Sequence, residues 1–227
     1  MAKGKGALAL VGGGEWTTPC RSLDERLLTR SGGREVVVLP TASAFEHPER
    51  AVARAAEWFG GLGATVRGLD LLTRRDAEDA DLVAQLRAAR FVYLADGSPL
   101  HLRSVLKGSP CFDAIVHAYE RGAVVAASGA AATLLCDPMV DPRGGAFTVG
   151  LGLVTGLAVF PYHGTTAEHI RERSLALLAP DAVLVGIDEG SAIVRDGEGA
   201  WEAFGDGVTV YRRDAAARNP VPGTAIV

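Results

Sequence analysis

The stretch Ala123–Leu135, AVVAASGAAATLL, constrains this chain more than any other. It is apolar until a single serine, Ser128, interrupts it among alanines and a glycine. Val124 and Val125 suit a strand buried on both faces, as a parallel sheet requires. The Ala- and Leu-rich residues after Gly129 are helix formers, and the helix opens at the serine. A strand that turns sharply into a helix needs small residues on both sides of the turn, because larger side chains would crowd it. Such a turn holds a hydroxyl at the carboxyl end of a strand, beside the unpaired N–H groups of a helix's first turn. This is the geometry of a nucleophile elbow. The plainer account makes Ser128 the N-cap of the same helix.

Strand and helix patterns alternate through most of the chain. Ala7–Val11, Val36–Leu39, Thr65–Leu69, Phe91–Leu94, Leu157–Phe160 and Ala182–Ile187 read as strands. Leu23–Thr29, Pro48–Phe59, Ala80–Ala89, Phe112–Glu120 and Ala167–Leu178 read as helices. Asp137–Gly156 is rich in Gly and Pro, with two short extended pieces. Ala192–Val194, Trp201–Phe204 and Val208–Tyr211 are parted by Asp-Gly turns and read as an antiparallel meander at the edge. Repeated strand-helix units predict an α/β fold: a three-layer, flavodoxin-like sandwich around a mostly parallel sheet. At 227 residues the chain suits one domain, 1–227, with 212–227 as a tail.

Composition excludes several function classes. The 23 Lys and Arg and 27 Asp and Glu are scattered, giving a net charge of −4, and no basic face argues for nucleic acid. No apolar run is long enough to span a membrane. MAKGKGALALVGGG has only a short apolar run before its glycines, and reads as a first strand rather than a signal peptide. Cys20, Cys111 and Cys136 are odd in number and widely spaced, which fits a reducing cytoplasm and no zinc site. Cys136 is expected to be a core residue on the helix after Ser128. His47, His101, His117 and His169 fall in or beside helices and read as ordinary side chains. Gly12-Gly13-Gly14 lacks the third glycine of a dinucleotide fingerprint, since Thr17 and Pro19 follow.

In parallel α/β folds the site lies at the carboxyl ends of the strands. Gly12–Trp16, Asp96–Leu100, the Ser128 turn, Pro161–Thr166 and Ile187–Ser191 should therefore meet at one edge. The motifs GGGE, VVVLPTAS, FVYLADGSPLHL, GAVVAASGAAATLL, GLGLVTGLAVFPYH and VGIDEGSAIV occur in an order that resembles the serine peptidase family of cyanophycinase and α-aspartyl dipeptidase. The resemblance covers most of the chain and implies a class I glutamine amidotransferase-like fold. It also implies Ser128 as nucleophile, His163 as base and Glu189 as its acidic partner, with Asp188 beside it. The N–H groups of Gly97 and Gly129 would form the oxyanion hole. Gly13, Gly14, Glu15 and Trp16, with Asp96, Ser98 and Tyr162, would contact substrate.

Two departures stand out. Asp96-Gly97-Ser98-Pro99 replaces a G-G-D-Q-like loop, and Pro99 has no N–H to offer. The family histidine falls at Tyr162, one place before His163. The expected reaction is hydrolysis of an amide in a short peptide or small amide through an acyl-enzyme, without metal or organic cofactor. The expected setting is cytoplasmic, with a homodimer left open. The competing expectation is a catalytically silent member that binds a small molecule or protein partner in the same cleft.

Overall fold

The computed structural model of the chain describes residues 5–213 and 215–226. Met1–Gly4, at the start of the N-terminal reading, and Asp214 and Val227, in the expected tail, lie outside the described residues. Strands β1 (Leu8–Val11), β2 (Glu35–Leu39), β3 (Thr65–Gly68), β4 (Phe91–Leu94) and β5 (Val124–Ser128) run parallel, in the spatial order β1-β5-β4-β2-β3. The fold is therefore mixed α/β with a mostly parallel central sheet. β1 and β2 are adjacent in sequence but not in space, so β5 and β4 lie between them. This reversal is where an open parallel sheet offers a crevice to a ligand.

The helices follow from capping and apolar spacing. They are α1 (Arg21–Ser31), α2 (Pro48–Gly60), α3 (Ala80–Ala88), α4 (Pro99–Leu106), α5 (Pro110–Glu120), α6 (Ala130–Leu134) and α7 (Glu168–Leu177). Alternation along the strands divides the core between the two sheet faces. Ala7, Ala9, Val11, Val124 and Ala126 pack with Leu23, Leu27, Ala55 and Phe59 of α1 and α2. Leu8, Leu10, Val125 and Ala127 pack with Leu86, Leu102, Ile115 and Leu134 of α3 to α6. Each fully buried Leu or Phe contributes about 1.5–3 kcal/mol.

α4 was not expected. Ser98 caps it, its Oγ accepting from the His101 N–H at 3.3 Å, and Pro99 occupies the first position, where a missing N–H costs nothing. α6 is shorter than its composition suggests, and Cys136 lies in a strand rather than on that helix. Asp137–Gly156 and its flanks hold four two-residue strands instead of two: β6 (Cys136–Asp137), β7 (Met139–Val140), β8 (Phe147–Thr148) and β9 (Val154–Thr155).

The remaining strands are β10 (Leu157–Pro161), β11 (Val183–Ile187), β12 (Ala192–Arg195), β13 (Trp201–Phe204) and β14 (Val208–Arg212). β12 and β13 extend the main sheet antiparallel beyond β1, as expected of the edge. β14 does not join them. It pairs antiparallel with β11, and β11 parallel with β10, in a separate three-stranded sheet. The Asp206-Gly207 turn causes the divergence. Gly207 accepts from the Asp188 N–H at 2.8 Å and donates to Ser191 Oγ at 3.0 Å, which carries the chain across to β11.

The described part of 212–227 is not a free tail. The Gly223 N–H donates to Ala203 O at 2.8 Å, the Ile226 N–H donates to Trp201 O at 3.1 Å, and Ile226 is 1% exposed. Among the described residues, no helix is long and apolar enough to cross a membrane.

Candidate active site

The loops after β1, β4, β10 and β11 meet at the carboxyl edge of the main sheet, and the turn after β5 lies against the Asp96 carboxylate. They border a cavity of about 450 Å³ lined by Gly14, Glu15, Asp96, Gly97, Tyr162 and Glu189 on one side. Ser43, Glu46, His47, Arg50, Ala51 and Arg54 line the other. The second group comes from α2 and its approach, and the sequence reading passed over it. His47 and Pro48 were visible as a helix start, but nothing in their spacing showed that α2 tips its first turn toward the cleft.

Ser128 ends β5, paired in register with Val11 of β1. It is fully buried, and its Oγ donates to Glu15 Oε2 at 2.8 Å. The sharp turn belongs to the next residue. Gly129 has φ 50° and ψ −114°, a conformation that strains any residue bearing a side chain. A Cβ at Gly129 would also overlap the Asp96 carboxylate. The elbow therefore falls on Gly129, and Ser128 remains a strand residue one place before it.

The expected oxyanion donors are both engaged. The Gly129 N–H donates to Val11 O at 3.0 Å as part of the sheet ladder, so it does not point into the cleft. The Gly97 N–H donates to Asp96 Oδ1 at 2.7 Å, and the Ala130 N–H donates to the same oxygen at 2.7 Å. The other carboxylate oxygen of Asp96 accepts from the Tyr162 hydroxyl. The Asp96 N–H is itself 3.4 Å from Glu15 Oε1. Asp96 and Glu15 are thus the centre of the hydrogen-bond network.

Tyr162 and His163 part company. Tyr162 has φ 53°, and its N–H donates to Gly12 O at 2.8 Å, which lays the phenol against Gly13 and Asp96. Burial, reinforced by the Asp96 carboxylate, raises the phenol pKa well above its ordinary value. His163 turns the other way, beneath Gly186 of β11. Its Nε2 lies 2.8 Å from the Tyr211 hydroxyl, and its Nδ1 lies 3.4 Å from Asp188 Oδ1. Burial lowers its pKa, against the opposing pull of Asp188. Both residues lie in the turn that follows β10, and the left-handed backbone of Tyr162 directs the phenol toward Gly13 while the imidazole goes to the small sheet.

Ser128 and His163 consequently have separate partners, and neither forms the relay with Glu189 that was expected. Glu189 lines the cavity beside Gly14. Ser98 is spent as the cap of α4. Trp16 is only 6% exposed, packs on Tyr93 with ring centroids 5.3 Å apart, and does not line this cavity. Gly13 provides the close approach to Tyr162. Of the expected contacts, Gly14, Glu15, Asp96, Gly97, Tyr162 and Glu189 face the cavity.

A mostly parallel α/β sheet with a cleft at its carboxyl edge and a strained strand-to-helix turn beside it is a framework on which nucleophile-elbow hydrolases are built. Sequence comparison gives the particular class. The chain belongs to peptidase family S51, whose model matches residues 8–202, and it is thereby a peptidase hydrolase related to cyanophycinases and peptidase E. It is 27% identical to the cyanophycinase of Synechococcus elongatus over 230 residues, covering 95% of this chain and 71% of that protein. It is 28% identical to peptidase E of Citrobacter koseri over 174 residues, covering 71% and 73%. The crystal structure of a peptidase from an acI-B1 Actinobacterium superposes with a TM-score of 0.87 at 23% identity, covering 100% of this chain and 98% of that one. That likeness speaks to the fold.

Proposed function

We propose that this chain hydrolyses an amide bond in a short peptide or small amide held in the cleft between the carboxyl edge and α2, with Ser128 as nucleophile and Glu15 as its proton acceptor. The observation that carries this reading is the bond from Ser128 Oγ to Glu15 Oε2 at 2.8 Å. Within the three-layer, class I glutamine amidotransferase-like arrangement, Glu15 takes the place intended for His163. As the serine oxygen bonds to the carbonyl carbon, its proton passes to the Glu15 carboxylate. Glu15 returns that proton to the leaving amine, and water then cleaves the acyl-serine ester. Ser128 is fully buried and does not line the cavity, so attack on a bound carbonyl requires the rim around it to open. Arg50 and Arg54 on one wall, with Glu189 on the other, suit a ligand bearing both charges, such as a peptide with free ends. A cytoplasmic setting fits the three buried, unpaired cysteines.

A second reading, a cleft that binds without cleaving, is favoured by one specific observation. The strained elbow residue is Gly129, which has no side chain to attack with. Steady-state hydrolysis of a panel of short peptides separates the two. Wild type should turn over, and Ser128→Ala and Glu15→Gln should each lose at least about a hundredfold in kcat/KM. His163→Ala should keep most of the rate. Saturable binding with no turnover by wild type would establish the second reading.

A further inference from the structure

Asp96 was expected only as a substrate contact, yet it holds the most heavily bonded position in the cleft. One of its oxygens receives two backbone N–H groups, from Gly97 and Ala130, each at 2.7 Å. The Tyr162 hydroxyl holds the other oxygen. Converging N–H donors at 2.7–3.1 Å beside a strained turn are the arrangement that stabilises a carbonyl oxygen as it gains negative charge. Here the oxygen they hold is the protein's own. The volume that a side chain at residue 129 would enter is filled by the same carboxylate.

We propose that Asp96 is a built-in occupant of the cleft's oxyanion position, held in place by Gly97, Ala130 and Tyr162, so that a substrate carbonyl or product carboxylate gains those two N–H groups only by displacing it. The inference rests on the cleft being the ligand site, as in the functional reading above, but not on turnover. Three features of the geometry converge on it. Gly97 sits at φ 147° tight against the Ala42 backbone, and the next N–H, of Ser98, donates to Ala42 O at 2.8 Å, which fixes the loop that presents the Gly97 N–H to the carboxylate. Ser43 Oγ donates to Asp96 O at 3.0 Å and anchors the loop from the other side. Tyr162 is itself pinned by its N–H bond to Gly12 O at 2.8 Å, so the phenol that grips Asp96 is part of the main-sheet framework.

The test is calorimetric titration with N-acetyl-alanyl-alanine, whose free carboxylate is an anion of the kind the two N–H groups would bind. Wild type is compared with Asp96→Gly, which empties the position, and with Asp96→Asn, which leaves an amide oxygen on the same two donors. Asp96→Gly should bind the probe about tenfold or more tightly than wild type, as expected for gaining hydrogen bonds to a charged group. Asp96→Asn should gain much less. Equal gains in the two variants would mean that removing charge suffices, and would overturn the proposal. So would unchanged or weaker binding by Asp96→Gly, or no binding by any form. If Asp96→Gly does not fold by circular dichroism, Asp96→Ser, too short to span both donors, takes its place. Peptide hydrolysis by wild type is scored separately: a cleft that never turns over still gives the binding difference if Asp96 is the occupant.

Discussion

Asp24, on α1, is fully buried, and its Oδ2 accepts from Trp58 Nε1 at 2.8 Å. Burial pushes its carboxyl up to about 7, opposed by the Trp58 bond and aided by the nearby charge of Glu15. A carboxyl whose folded value lies above its unfolded value of 3.8 stabilises the fold fully below about pH 4, and that stability is lost as pH rises toward 7. Asp24→Asn keeps an acceptor for Trp58 and removes the cost of the buried charge. It should match wild type near pH 4 and exceed it at pH 8, by on the order of 2–4 kcal/mol. Urea denaturation at the two pH values measures the difference, and equal gaps at both would reject the account. At this scale the sequence was legible in part. The small residues around Ser128 marked a tight turn, but in AASGAA nothing distinguishes which residue takes the strained φ, because each is small enough. Tyr162 and His163 were visible as a shifted pair, whereas Asp24 gave no signal, since a single Asp on a helix usually faces water.

The same ambiguity shapes the elements. β1, β2, β4 and β5 were readable because a parallel strand buried on both faces is a continuous apolar run. α4 was missed because Asp96–Leu100 was read only as a loop, although a serine followed by proline at a helix's first turn is a favourable start. Two substitutions test how firmly these ends are held. Gly129→Ala forces a side chain onto φ 50° and against the Asp96 carboxylate, and should destabilise the fold by about 1–3 kcal/mol from backbone strain alone. Ser98→Ala removes only the cap of α4 and should cost about 1 kcal/mol. Both are read from urea midpoints at constant slope. A Gly129→Ala protein as stable as wild type would show that the turn relaxes freely.

Over the whole molecule, the C-terminal segment does more than its composition promised. Pro, Gly and Arg suggested a tail, yet Glu202 bridges to Ala225 and Val210 to Arg218, so the segment runs along β13 and β14. Long-range pairing of this kind leaves no local pattern to read. Ending the chain at Arg213 should leave the outer side of β13 without these partners and expose Trp201. The shortened protein should melt several degrees lower and scatter more light on heating, because an unpaired strand edge recruits other chains. Unchanged melting and scattering would make the segment an ornament.

The opposed directions of Tyr162 and His163 have a consequence for engineering. The Tyr162 N–H binds Gly12 at the end of β1, and the next N–H, of His163, donates to Ile187 O at 3.2 Å at the end of β11. Two successive amides thus rivet the large sheet to the small one at the rim of the cleft. Residues behind the rivet, Tyr211 and Asp188, hold the imidazole without touching the cavity. Repacking that rear surface would tilt the phenol from behind, a dial for the cleft's shape that leaves every cavity-lining side chain as it is.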